Sequence, residues 1–123
     1  MKNKIIYWIL TALVALVFIG SAIAKFTANE ETLVMANKVF GLSPLTYNIL
    51  GMVEIVAALL FIIPRTGIVG TLLLAAYMGG AIATHLEHGL PFIAQCAIQA
   101  FIWIVAVYRF PELRARLLGR NLN

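Results

Sequence analysis

Four long apolar runs separated by short polar links organise the chain. The first extends from Ile5 to Ala24 behind Lys2 and Lys4, the second from Pro44 to Ile63, the third from Ile68 to Leu86 and the fourth from Pro91 to Tyr108. Each comes close to the ~20 apolar residues that a helix needs to cross hydrocarbon. The pattern therefore predicts an all-α integral membrane protein. A single domain over residues 1–123 would fold as an antiparallel bundle of four transmembrane helices, with spans at 5–24, 44–63, 68–86 and 91–108.

The links carry local stop and start signals. Asn29 is placed to cap a short helix, with Glu30 and Glu31 in its first turn, where the helix dipole favours anions. Leu33, Ala36 and Phe40 recur at helical spacing after it, which suggests a short amphipathic helix in the interface after the first span; an ordinary loop is the competing reading. Ser43-Pro44 gives the second span an N-cap followed by proline at the first helical position. Pro64 ends that span, and Arg65, Thr66 and Gly67 make a tight turn that sets spans two and three side by side. Pro91 is expected to open the fourth span. Beyond Tyr108, the tail to Asn123 carries Arg114, Arg116 and Arg120 among Leu113, Leu117 and Leu118, a basic amphipathic segment whose leucines face the acyl boundary. Ala22-Ile23-Ala24 resembles a signal-peptidase site, but the run before it exceeds the ~7–15 residues of a signal core, so it is kept as a span.

Composition agrees with lipid as the solvent. The chain is 63% hydrophobic and 11% charged, against roughly 25% charged in soluble domains. The net charge of +4 matters through its placement. Lys2, Lys4, Arg65, Arg109, Arg114, Arg116 and Arg120 fall on one side of the spans, and Lys25 and Lys38 on the other. The positive-inside rule then puts both termini in the cytoplasm, with Tyr7, Trp8, Trp103 and Tyr108 towards that side as an aromatic belt. Membrane lipids are the expected partners, the tail arginines meeting anionic head groups at about 1 kcal/mol each. No basic patch interleaved with aromatics lies outside the spans, which discards nucleic acid. Cys96 is the single cysteine, so an internal disulfide and a CxxC centre are excluded; it reads as a small buried apolar residue.

Candidate chemistry lies in the few polar residues inside the spans. Glu54 stands near mid-span, where a lone carboxylate is costly and must face the bundle or water. Gly51 and Ala58 share its face and admit a neighbouring helix. Glu54 is thus either a proton or ligand site or a hydrogen-bonded tie between helices. Tyr77 lies at comparable depth and needs a partner for its hydroxyl. Gln95 and Gln99 share a face of the fourth span and read most simply as interhelical ties. Ala76, Gly79, Gly80 and Thr84 form a small-residue strip suited to close helix packing. His85 and His88 stand one turn apart at the outer end of the third span. They supply two of the three or four ligands a metal site requires, so no metal is expected; a membrane haem would want two axial ligands buried within the spans, and no second suitably buried histidine exists. By depth, Lys25, His85, His88 and Gln95 gather in the outer half with Glu54 and Gln99 deeper, which predicts a cavity opening outward, lined from the first span by Ser21. No nucleophile–base–orienter set, phosphate loop or paired carboxylate is recognisable, and no catalytic residue is assigned.

The segments WILTALVALVFIGSAIAKF, GMVEIVAALLFIIPRT and RTGIVGTLLLAAYMGGAIATHLEHG resemble the DoxX-like family of small bacterial membrane proteins. The resemblance covers essentially the whole chain and is most specific at Glu54 followed by Pro64-Arg65, then Gly70, Tyr77, Gly79-Gly80 and Thr84-His85. It implies a four-helix protein of the bacterial inner membrane. The wider DoxX and DoxD group is associated with membrane redox systems, including subunits linked to quinone reduction, which implies a redox-accessory or quinone-contacting role. Glu54, Tyr77 and His85 are the positions it singles out. The competing expectation is a non-catalytic structural or assembly module, or a small proton or solute transporter acting as a homo-oligomer.

Overall fold

The computed structural model describes residues 2–120, with side chains from residue 4 onward. The side chain of Lys2 and the last three residues of the basic tail lie outside the described residues. Among the described residues the regular structure is helical, without strands. The helices are α1 (Lys2–Phe26), α2 (Glu30–Phe40), α3 (Pro44–Ile62), α4 (Gly67–Glu87), α5 (Ile93–Arg109) and α6 (Pro111–Leu117), with a 3-10 turn at Pro64–Thr66 between α3 and α4.

Local chemistry accounts for the boundaries. The Asn29 side chain accepts from Thr32 N at 2.8 Å at the start of α2, and Gly41 ends that helix in the left-handed region at φ 70°. A residue with a Cβ is disfavoured there, which is why glycine closes the helix. Ser43 Oγ accepts from Thr46 N at 3.1 Å, with Pro44 opening α3. The amphipathic segment after α1 is thus a helix and not a loop. The fourth helix starts at Ile93, two residues later than its proline suggested. Pro91 stays in the link and Phe92 takes a non-helical φ of −127° as the N-cap.

Three helices are long and apolar enough to cross a membrane: Lys4–Phe26, Pro44–Ile62 and Pro64–Glu87, the last including the 3-10 turn. The fourth, α5, has 17 residues, roughly 25 Å of helix at the usual rise. It is followed by a 112° bend into α6, and counting that pair as one span gives up to four. The bend turns α6 across the end of α5, where Arg114 Nη1 donates to Val107 O at 3.1 Å and satisfies a carbonyl near the helix end.

The spans form a ring in which α1 packs on α3, α3 on α4, α4 on α5, and α5 returns to α1; α2 rests against α3. Val14, Phe18, Phe61, Leu74, Ile102 and Val105 fill the centre. Outward, Ile9, Leu16, Met52, Val56, Leu72 and Ile104 are exposed. In water such a surface would drive aggregation, whereas in hydrocarbon it is ordinary lipid-facing side chain.

The ring is tightest where α3 meets α4. Gly70 is buried, and a Cβ on it would overlap the backbone of Leu60 and Phe61. A Cβ on Gly67 would overlap the Phe110 ring. Close packing therefore uses Gly67 and Gly70, beside the turn. The strip at Gly79 and Gly80 does not serve it, because an added Cβ at either meets nothing within 4 Å. The 3-10 turn joins α3 and α4 at this end. Cys96 is exposed and not buried as its type suggested.

Arg109 closes this end of the bundle. It is 4% exposed, donating from Nη1 to Phe61 O at 2.7 Å and from Nη2 to Ile62 O at 3.3 Å and Tyr7 Oη at 3.4 Å. Its guanidinium carbon lies 4.6–4.8 Å from the ring centres of Tyr7, Phe61 and Phe110. The cation thus takes up the carbonyls left free at the C-terminus of α3, the negative end of the helix dipole, within an aromatic cage. Arg109→Gln is expected to lower stability in a denaturant titration by about 1–3 kcal/mol, and Arg116→Gln by less than about 0.5 kcal/mol. Gly70→Leu is expected to destabilise more than Gly79→Leu, read from the midpoints of thermal unfolding.

Candidate functional site

At the end of the bundle away from the termini, the last turn of α1 lies against α3. Gly51 permits this contact: a Cβ there would lie 3.0 Å from the Phe26 ring and 3.4 Å from Ala22 O. The approach brings Lys25 across to Glu54, whose Oε1 lies 2.8 Å from Lys25 Nζ. Glu54 is 1% exposed, and Oε1 has this ammonium as its neighbour but no aligned hydrogen bond. Lys25 Nζ also donates to Ser21 Oγ at 2.9 Å, one turn back on α1, and lies 5.6 Å from the centre of the Tyr47 ring. Tyr77 reaches in from α4 beside Glu54. The carboxylate that stood alone in the sequence therefore has a cation from α1 against it. Burial raises the cost of either charge alone, and the pair answers it.

The pair forms part of the wall of a cavity of about 780 Å³. Ser21 and Lys25 from α1, Tyr47 and Leu50 from α3, and Tyr77 and Ala81 from α4 surround its inner part, while Met35, Val39 and Phe40 of α2 border it from the side. His85 and Gln95 line it as well. His85 Nδ1 donates to Ala81 O at 2.7 Å, so in the neutral ring Nε2 is an acceptor, and it faces Gln95 Nε2 at 3.4 Å. Gln95 Oε1 is buried without a hydrogen bond. Phe40 lies between the two histidines, 5.3 Å from the His85 ring and 5.5 Å from that of His88.

Five of the six residues singled out from sequence thus come together: Lys25, Glu54, Tyr77, His85 and Gln95 all line the cavity. Gln99 does not. Its Nε2 donates to Ala75 O at 3.0 Å, tying α5 to α4. His88 is exposed, with Nδ1 donating to Thr84 O at 2.8 Å, and among the described residues no three His, Cys, Asp or Glu side chains are grouped to hold a metal ion. The pattern of the chain gave no sign of Tyr47 or Thr46, which lie on the first turns of α3 and border the cavity. Their one hint was the capping signal at Ser43-Pro44, which fixes the phase of that helix. Ala76, Gly80 and Thr84 recur every four residues on α4 and also border the cavity; their smallness leaves space there and does not bring helices together.

A buried pair loses most when only one partner is removed. Lys25→Met should cost on the order of 3 kcal/mol, and the double replacement Lys25→Met with Glu54→Gln should recover most of that loss. A double-mutant cycle read by denaturant titration measures the coupling; additive effects would mean that the two charges do not interact.

Comparison with known protein families matches residues 9–108 to the family described as DoxX-like. No curated protein and no solved structure matches the chain.

Proposed function

The chain belongs to the DoxX-like family of integral membrane proteins, and from that premise we propose that it is a ligand-contacting accessory of a membrane redox system. In this reading its cavity holds a small, mostly apolar molecule of the quinone class. The observation that carries the proposal is a charged pair placed on the wall of a mostly apolar cavity. A carboxylate serving only as a tie between helices needs no adjoining space, whereas this cavity of about 780 Å³ falls within the roughly 300–1,000 Å³ typical of small-molecule sites.

The charges narrow the ligand chemistry. Lys25 has three N–H donors; one goes to Ser21 Oγ and the ammonium also lies against Glu54. A remaining donor is available to an acceptor in the cavity. Because Glu54 offsets the charge of Lys25, a neutral carbonyl suits the site better than a second anion, and a quinone oxygen meets that requirement. Glu54, with Tyr77 beside it, and His85 are the groups positioned to exchange protons with such a ligand, and electron transfer belongs to a partner in the membrane. The same reading puts the α2 side outside the cytoplasm of a bacterial cell and the termini inside, following the distribution of lysine and arginine. Passage of a solute straight through one chain is the weaker reading, because Val14, Phe61, Leu74, Ile102 and Val105 fill the half of the bundle nearer the termini.

Protein purified in mild detergent and placed in lipid nanodiscs is expected to yield quinone on organic extraction. A short-chain ubiquinone analogue should raise the unfolding temperature saturably, with a stabilisation of about 2.7 kcal/mol at a hundredfold excess over Kd. The Lys25→Met, Glu54→Gln double variant should lose the shift. No extractable quinone together with no shift in the parent protein would remove this reading.

A further inference from the structure

We infer that the cavity opens sideways into the bilayer beside α4, at Ala76 and Gly80, so that its ligand arrives from the lipid phase and carries an apolar chain. The inference rests on the cavity being a ligand site and specifies the route into it.

Ala76 and Gly80 are both exposed and both line the cavity. Thr32, Met35 and Thr46 are exposed lining residues as well, at the α2 end, whereas Val17, Ala76 and Gly80 are the exposed ones deeper in the spans. Ala76 and Gly80 lie one turn apart in a helix long and apolar enough to span the membrane. Their neighbours Leu72 and Leu73 on the same helix are exposed large apolar residues, so the medium at this mouth is hydrocarbon. A Cβ added to Gly80 meets nothing within 4 Å, which shows the opening to be clear of neighbouring side chains at that point. The stripe of small residues alone would be ambiguous. The second observation is Gln95, which lines the same cavity and whose buried Oε1 has no hydrogen bond.

A polar floor reached through an apolar mouth sorts ligands by shape and polarity. The head must offer an acceptor to Lys25, and whatever follows it through the mouth must be content among acyl chains. Between the two, Ala81 and Gly80 leave the wall bare on the α4 side, and Met35 and Val39 of α2 are apolar. Burying each methylene of a chain contributes about 0.8 kcal/mol relative to water, but a chain already in lipid gains little by entering an apolar cavity. Specificity therefore resides in the head and access in the mouth. Gly80 is on this account the width-setting residue: a large side chain there fills the opening.

The experiment uses the full chain in phosphatidylcholine vesicles containing a phospholipid with a photoreactive diazirine in its acyl chain, followed by peptide mapping. In the parent protein label is expected on the lipid-facing Leu72 and also inside, on Tyr77 and Ala81. In Gly80→Trp, label on Tyr77 and Ala81 should fall at least about fivefold while Leu72 is unchanged, since a blocked path slows entry without altering the lipid-facing surface. Gly80→Leu, which suits a lipid-facing helix, repeats the test if the tryptophan variant does not fold by circular dichroism. Label confined to the outer face of the parent, or interior label undiminished in the blocked variant that folds, overturns the lateral mouth. A second arm compares binding of a decyl-chain quinone with that of the same ring lacking the chain. If acyl label enters but neither quinone shifts the unfolding temperature, the mouth stands and the quinone reading falls. If both quinones bind equally fast to parent and blocked protein, the quinone reading stands and the mouth falls.

Discussion

Two opposite charges held 2.8 Å apart inside a lipid-embedded bundle set the terms for the half of this molecule away from the termini. In hydrocarbon neither Lys25 nor Glu54 can be left to solvent, so each constrains the helix that bears it. Lys25 occupies the last turn of α1, where the helix dipole already favours a cation. Glu54 sits on the inward face of α3, and Gly51 one turn earlier lets α1 come close enough for the charges to meet. Tyr77 of α4 lies beside the same carboxylate. The alignment of α1 with α3 follows from satisfying one costly group.

The two ends of the bundle solve the same problem in opposite ways. Near the termini, buried Arg109 has no carboxylate beside it among the described residues; the Phe61 and Ile62 carbonyls and three aromatic rings surround its guanidinium, while Nε makes no hydrogen bond. The short turn between α3 and α4 and the glycines beside it pull the backbones together, and buried Phe61, Leu74 and Val105 pack on one another there. At the other end, the connection between α1 and α3 is long enough to form a helix of its own. The small residues of α4 there face a void in place of a neighbouring backbone. A rigid, sealed base and a roomier polar end are what a membrane protein needs if it is to hold a molecule without becoming a channel.

Much of this architecture was legible because it is written locally. The apolar runs, the Asn29 cap and the Ser43-Pro44 helix start each depend on residues within a few positions of one another, and all appear as expected. Glu54 was legible because its cost in hydrocarbon requires an answer whatever the fold. What supplies that answer was less so. Lys25 was placed in the outer half by counting depth, but its contact with Glu54 depends on Gly51 facing Phe26, a tertiary fact. Arg109 looked like one more member of the basic belt, because nothing in the chain order shows that the end of α5 returns to the end of α3. The glycines were read in reverse for the same reason. Gly79 and Gly80 have the more suggestive spacing, yet Gly70 makes the close contact because it lies nearer the turn. Gln99 shares a face with Gln95, but the carbonyl of Ala75 takes its amide.

The central claim is that Lys25 and Glu54 form a direct pair while the protein sits in a bilayer. Solid-state NMR dipolar recoupling between the labelled Lys25 Nζ and the labelled Glu54 carboxyl carbon, recorded in phospholipid bilayers, addresses it most directly. The account predicts strong dephasing, as an Nζ–Oε1 separation of 2.8 Å requires. Dephasing no greater than that of a Glu54→Gln sample labelled only at Lys25 would contradict it.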